Sequence, residues 1–206
     1  MKKIILVLGI CTLAFVILFI SIFDSSSITY SLSKAPNQPI GGPDVPKINY
    51  TLPYTGRVLP DSPFWSLKAL RDKVWFGITP SHLRRAQLAL LFADKRIVMS
   101  VKLFEKGEPE IAISTYTKGE KYLAIAANEE LLARAGGMDT SGFLERLATS
   151  ALKHRQISED LMRMAPEDAR PLIVKSEKYA TEAFEAARNA LNSKGLPVPN
   201  NPFDGD

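Results

Sequence analysis

The chain has 206 residues, 46% of them hydrophobic and 9% aromatic, and a formal net charge of +4. This composition excludes wholesale disorder and leaves room for one domain of ordinary size with accessories. Lys2 and Lys3 supply half of the charge, and beyond them no basic run exceeds Arg84-Arg85, so the concentrated footprint of a nucleic-acid binder is missing. Cys11 is the single cysteine and lies in an apolar stretch, which leaves the rest of the chain without a disulfide, a thiolate nucleophile or a cysteine metal ligand.

Residues 1–23 read as a transmembrane anchor. Ile4 to Phe23 carry no charge, and a helix of that length spans about 30 Å, the thickness of the hydrocarbon layer. Lys2 and Lys3 precede the apolar run while Asp24 and three serines follow it. The positive-inside rule then puts the N-terminus in the cytoplasm and residues 24–206 outside, on a single-pass cell-membrane protein. Two other readings compete. A cleavable signal peptide has a shorter apolar core and a small-residue cleavage site, whereas here the exit is limited to Ser25, Ser26 and Ser27. Leu8-Gly9-Ile10-Cys11 resembles a lipobox only in part, because Ile10 stands where a small residue is expected and the apolar stretch continues past Cys11. A retained anchor is the expectation, with the lipid bilayer as the partner of residues 4–23.

Residues 24–60 form a Pro/Ser-rich linker. Pro36, Pro39, Pro43, Pro46, Pro53 and Pro60 fall among Ser, Asn, Gly41 and Gly42, a density that blocks both helix and central strand. The expectation is an extended, mobile tether with a reach of about 30–35 Å, although Tyr50, Leu52 and Tyr54 offer side chains that can dock. Residues 196–206 hold further prolines and are expected to be a disordered tail.

Residues 61–195 are helical throughout. Ser62-Pro63 opens a short aromatic helix through Phe76, stopped by Gly77. Thr79-Pro80 opens a second that runs to about Lys106, with Gly107 as its stop. Glu108-Pro109 starts a third, broken by Gly136-Gly137, and Asp139 or Thr140 caps a fourth that ends near Ala165-Pro166. The fifth runs from about Glu167 to Lys194, with Pro171 kinking its first turns or marking its true start. In the second, Leu83, Leu90, Ile97 and Phe104 recur every seven residues, with Ala86, Ala93 and Ser100 between them. Large and small seam positions in that order let helices approach closely. Ala112, Tyr116, Gly119, Leu123 and Ala126 share a face of the third; Leu144, Leu147, Ala151 and Leu161 of the fourth; Ile173, Ala180, Phe184, Ala187 and Leu191 of the fifth. Short loops then imply an all-α fold: an up-down antiparallel four-helix bundle preceded by the short aromatic helix.

Leu59-Pro60-Asp61-Ser62-Pro63-Phe64-Trp65 resembles the opening motif of an uncharacterised bacterial family of membrane-anchored helical proteins. Arg84, Arg85, Leu88, Leu90, Phe92, Ala93 and Arg96 are similar to the Arg-rich helix that follows in that family, and the likeness covers about residues 59–194. It implies an extracytoplasmic helical module and no particular activity.

The search for chemistry turns up little. His154 falls seven residues from both Leu147 and Leu161 on the inward seam and reads as an imidazole at the core edge with one nitrogen bonded to a neighbour. His82, in a first turn, reads as exposed. Met138, Met162 and Met164 lack the clustering of a soft-metal site and suit gap filling in a core. Carboxylates such as Glu129, Glu130, Glu159 and Asp160 suit helix ends and polar faces, and no phosphate-cradling loop or nucleophile elbow is present. The expectation is therefore a non-enzymatic interaction or scaffold module without cofactor or metal, with an envelope protein as partner. An extracytoplasmic metal or stress sensor using His82, His154 and the methionines is the alternative. Phe64, Trp65, Trp75 and Phe76 are the candidate partner surface, as a groove or a membrane-interface patch. Against that stands the tendency of an amphipathic helix to bury its apolar side, which would have these rings seal one end of the bundle.

Overall fold

The computed structural model describes Leu32 and residues 45–203. The anchor reading and, Leu32 apart, the tether up to residue 44 lie outside the described residues, as do the last three positions of the tail. Among the described residues no helix is long and apolar enough to cross a membrane, and all regular structure is helical: α1 Trp65–Ile78, α2 His82–Glu105, α3 Pro109–Ala135, α4 Ser141–Met164 and α5 Arg170–Ser193.

The helix ends follow local chemistry. Trp65 N–H reaches Ser62 O at 2.9 Å, and Ser62 Oγ accepts from Phe64 N–H at 3.3 Å, so the Ser-Pro turn leads into α1 from three residues upstream. Gly77 does not stop that helix, which continues through Ile78 and ends as Thr79 Oγ1 bonds back to Trp75 O at 2.7 Å. Pro109 and Pro171 sit in the first turns of α3 and α5, where no amide donor is needed; Pro171 thus marks the true start of α5 and not a kink. Gly107 and Gly137 adopt φ of +77° and +82°, left-handed values that only glycine takes freely. They let Glu108 N–H and Met138 N–H bond back to Leu103 O and Ala133 O, which satisfies otherwise orphaned carbonyls.

The apolar seams meet in one core. Ala86, Leu90, Ala93, Leu123, Ala126, Leu144, Leu147, Ala151, Ala180, Phe184, Ala187 and Leu191 are all buried within it. Gly119 lies so close to α2 that a Cβ there would stand 3.2 Å from Arg96 Cβ and 3.4 Å from Ala93 O and Ile97 N. The α2–α3 pair is the most intimate in the molecule, followed by α4–α5. Consecutive helices reverse direction: His82 at the start of α2 meets Glu129 near the end of α3, and Ser141 at the start of α4 meets Lys194 after α5. One neighbour relation departs from the sequence expectation. α3 lies along α5 more than along α4, and the contacts of Thr117 with Ser176 and of Tyr116 with Ile173 align two helices that run the same way. The loop 136–140 therefore crosses the bundle diagonally, and these spatial neighbours are parallel. Gly119, Ala126 and Ala133 make α3 slim enough to contact helices on several sides.

Two segments expected to be loose are docked. Residues 46–60 form a strap over the helices. Ile48 N–H bonds to Gln156 Oε1 at 2.9 Å on α4, and Tyr50 O–H to Asp94 Oδ2 at 2.7 Å on α2. Farther along, Lys102 of α2 donates to Thr55 Oγ1 at 3.1 Å, and Lys68 of α1 to the carbonyls of Thr55 and Val58, both at 2.9 Å. Proline keeps this stretch extended without preventing it from lying on a surface that offers acceptors and donors for its remaining polar groups. At the other end Leu196 and Val198 pack on the core, and Phe203 is buried with the Arg155 guanidinium 4.6 Å over its ring, so residues 196–203 are not a disordered tail.

Candidate functional site

α1 has two faces, and only one is used by the fold. Trp65, Lys68, Asp72 and Phe76 follow the three-four spacing of one helix face and meet the bundle. Beneath them Arg96 is 7% exposed, with its guanidinium 4.4 Å from the Tyr122 ring, 5.7 Å from Phe92 and 5.9 Å from Trp65. This aromatic cage stabilises a buried cation by the negative faces of its rings, while its Nε has no hydrogen-bond partner. Burial pushes the Arg96 pKa down, and Tyr122 and Asp72 counter it. The Phe76 ring lies 4.9 Å from the Arg85 guanidinium in the same way. Trp65 and Phe76 thus face inward.

The second face is left bare. Phe64 is 68% exposed, Leu67 70%, Val74 52%, Trp75 48% and Ile78 73%. With Val58, Leu70, Lys68 and Arg71 they line an open groove of about 730 Å³. Trp75 touches Phe92 edge-on at 6.3 Å and also walls a smaller groove with Leu88 and Leu91 on α2. Contiguous apolar exposure of this kind marks binding surfaces. Of the four aromatic residues singled out from the sequence, Phe64 and Trp75 stand on the open face and Trp65 and Phe76 do not. Leu67, Val74 and Ile78 complete that face. Positions 67, 74 and 78 recur at helical spacing, so this apolar face is present in the sequence.

Lys68 and Arg71 are the cations that line the groove. Lys68 Nζ stands 5.3 Å over the Trp65 ring. Its pKa is lowered by burial, with Asp72 pulling the other way and Lys95, Arg71 and Arg96 adding to the fall. Lys118 on α3 is lowered by burial and then by Arg96, Lys73 and Lys121. Arg96 is a cationic neighbour of both lysines, and Asp72, which works against the fall at Lys68, is itself held by Arg71 at 2.7 Å.

A second constellation is internal. His154 is fully buried, with Nδ1 2.9 Å from Glu120 Oε1 and Nε2 3.2 Å from Asp94 Oδ1. Asp94 Oδ1 also accepts from Ser150 Oγ at 2.6 Å, and Oδ2 from Tyr50 O–H. Burial lowers the imidazole pKa, but the Glu120 charge and the two carboxylate hydrogen bonds overcome it and raise it to about 9. Glu120 is raised by burial, against the pull of His154, and its Oε2 has no hydrogen-bond partner. Burial and then Asp94 push Tyr50 upward too. His154 is therefore an interior imidazole bonded through both nitrogens, not one at the core edge. Asp94 and Glu120 escaped the sequence reading although each interrupts an apolar face: 90, 94, 97 on α2 and 116, 120, 123 on α3 share one side.

This network lacks the wiring of a catalytic triad. The Ser150 hydroxyl donates to the carboxylate and not to the imidazole, and every member of the Ser150–Asp94–His154–Glu120 chain is buried. His82 is separate, with Nδ1 2.7 Å from Glu129, which also pairs with Arg85 at 2.9 Å. Among the described residues no group of three or more His, Cys, Asp and Glu side chains is arranged to hold a metal. Met164 is buried while Met138 is exposed. The chain matches no protein-family model, no curated protein and no solved structure.

Proposed function

We propose that this protein is a single-pass, membrane-anchored extracytoplasmic module, an up-down four-helix bundle with α1 laid across it, that acts at the cell envelope by binding and scaffolding and not by catalysis. The observation that carries the reading is the open apolar face of α1, with Leu67 and Ile78 both about 70% exposed on a helix whose opposite side is already engaged. A helix that spends one face on its own domain and keeps a second bare has a surface for something else. The anchor and topology rest on the uncharged run from Ile4 to Phe23 and the lysines before it.

A photoreactive residue at Leu67 in the full-length chain, activated in living cells, tests this. An intermolecular adduct, to protein or to lipid, supports a binding surface. Adducts confined to the protein's own helices would remove the reading, because α1 would then fold its second face inward. The metal-sensor alternative gains no support from the geometry, since both nitrogens of His154 are committed to carboxylates and His82 bonds to a different acid.

A further inference from the structure

The strap is tied to a charge inside the protein. Tyr50 O–H donates to Asp94 Oδ2 at 2.7 Å, while Oδ1 of the same carboxylate accepts from Ser150 Oγ at 2.6 Å and meets His154 Nε2 at 3.2 Å. His154 Nδ1 lies 2.9 Å from Glu120 Oε1. An ionised carboxylate only accepts, so an imidazole held between two of them carries a hydrogen on each nitrogen and a positive charge. Burial works against that charge, but Glu120 and Asp94 outweigh it and raise the imidazole pKa to about 9. Tyr50, pushed up by burial and then by Asp94, keeps its phenolic proton over the same range. Around this chain stand Tyr116 on α3, Arg146 and Glu159 on α4, and Glu177 on α5 with its α4 partner Arg155.

Loss of the ring proton leaves one N–H for two acids. Glu120 keeps it, because Glu120 is fully buried, makes the shorter contact and already has Oε2 without a partner. Asp94 then faces a ring lone pair at 3.2 Å with the neighbouring cation gone. A buried carboxylate so placed is relieved by water. Ser150 and His154 are sealed in the core, and the other oxygen of Asp94 is capped by Tyr50, so water reaches the carboxylate by way of the strap. The remaining ties of the strap give way readily. Ile48 bonds to Gln156 and Lys153, and Thr55 to Lys102 and Lys68, all at partly buried sites. Water replaces such bonds at small net cost, whereas the Tyr50 bond to a charged acceptor is of the stronger kind.

We propose that the strap is a proton-controlled latch, docked through Tyr50 and Asp94 while His154 is an imidazolium and lifting from α2 and α4 when the ring is neutral, with the helices still folded. The docked form binds the ring proton more tightly than the lifted form. Docking is therefore complete at low pH and is lost as pH rises through about 9. Local opening of this kind is a separate, lower step than unfolding of the packed helices. Val58, at the far end of the strap, also walls the open groove on α1, so the position of the strap bears on that face. The latch itself does not depend on anything binding there.

Millisecond hydrogen exchange of the full-length chain, read by mass spectrometry at pH 7 and pH 10, tests this. Each rate is divided by that of the unfolded chain at the same pH, which removes the intrinsic pH dependence. One pKa unit of difference between the docked and lifted forms changes docking tenfold. Protection of peptides within residues 46–58 should therefore fall about tenfold or more at pH 10, while the central turns of α2 and α4 stay far better protected than the strap. Lys153 and Lys68 also hold strap carbonyls and have pKa values lowered by burial, so the variants must separate them from the ring. In His154→Gln the strap should show the same protection at both pH values. Tyr50→Phe, which leaves the ring in place, should do so as well and carries the test if His154→Gln does not fold. Equal protection of the wild-type strap at the two pH values overturns the proposal. So does a fall that persists in either variant, which would assign the opening to the lysines. Strap and helices exchanging together at pH 10 would be global unfolding, and would overturn it too.

Discussion

Replacing Asp94 by alanine tests the proposition that one buried carboxylate ties the strap, α2 and α4 together. Its Oδ1 accepts from Ser150 at 2.6 Å and His154 at 3.2 Å, and its Oδ2 from Tyr50 at 2.7 Å. In the variant a buried imidazolium keeps only Glu120, and the Ser150 hydroxyl loses its acceptor in a site that is 0% exposed. Removing one member of a buried ion pair costs about 3–5 kcal/mol. For a domain of this size that corresponds to a fall in Tm of about 10 °C. Tyr50→Phe, which deletes only the strap's hydrogen bond, should cost about 1–2 kcal/mol. Thermal unfolding followed by circular dichroism measures both. Hydrogen exchange should show amides near Ile48 and Tyr50 opening faster in each variant, with the α2 and α4 amides affected only by Asp94→Ala. If Asp94→Ala proved no more destabilising than Tyr50→Phe, the imidazole would not depend on Asp94, and the network as drawn would be wrong.

The other expectations are independent of that one. His154 has its pKa raised from 6.5 to about 9, so its contribution is complete below pH 6.5 and is lost as pH rises through 9, on the order of 3 kcal/mol. Glu120, also raised, adds a loss of the same sign as pH climbs above its unfolded value of 4.5. Urea unfolding at pH 6.5 and 9.5 should therefore show lower stability at the alkaline value, and His154→Gln should flatten the difference. Gly119→Val places branched carbon against Arg96 Cβ and the backbone of Ala93 and Ile97, at 3.2–3.4 Å for the Cβ alone; overpacking there should cost about 1–3 kcal/mol in denaturant melts. Tyr116→Phe removes a buried hydroxyl paired with Ser158 at 2.6 Å and should cost about 1 kcal/mol by the same measurement. Arg155→Ala uncovers the Phe203 ring and should raise hydrogen exchange in residues 196–203 while leaving the central turns of α5 protected.

The sequence by itself determined the helices and most of what they bury. Three-four spacing of apolar residues is a local property, so the seams from Leu90 to Phe104, from Ala112 to Ala126 and from Ile173 to Leu191 could be read directly and are buried. Glycine and proline act on the backbone where they stand, which made Gly107, Pro109 and Pro171 reliable punctuation. Periodicity also contained more than it first yields, since Asp94 and Glu120 sit inside apolar stripes where a buried charge needs a partner. Only the tertiary structure decided who that partner is. His154 meets acids 60 and 34 residues away, and nothing local ties those positions. The same holds for the neighbour order of the helices, because a five-residue loop can turn to an adjacent helix or cross to a diagonal one. It holds for the strap and tail too, whose proline content forbids helix but says nothing of whether Asp94, Gln156 or Arg155 will be there to receive them. And it holds for α1, whose aromatic residues fall on two faces: packing against Arg96 and Arg85 selects the one with Trp65 and Phe76 and leaves Leu67, Val74 and Ile78 in the open.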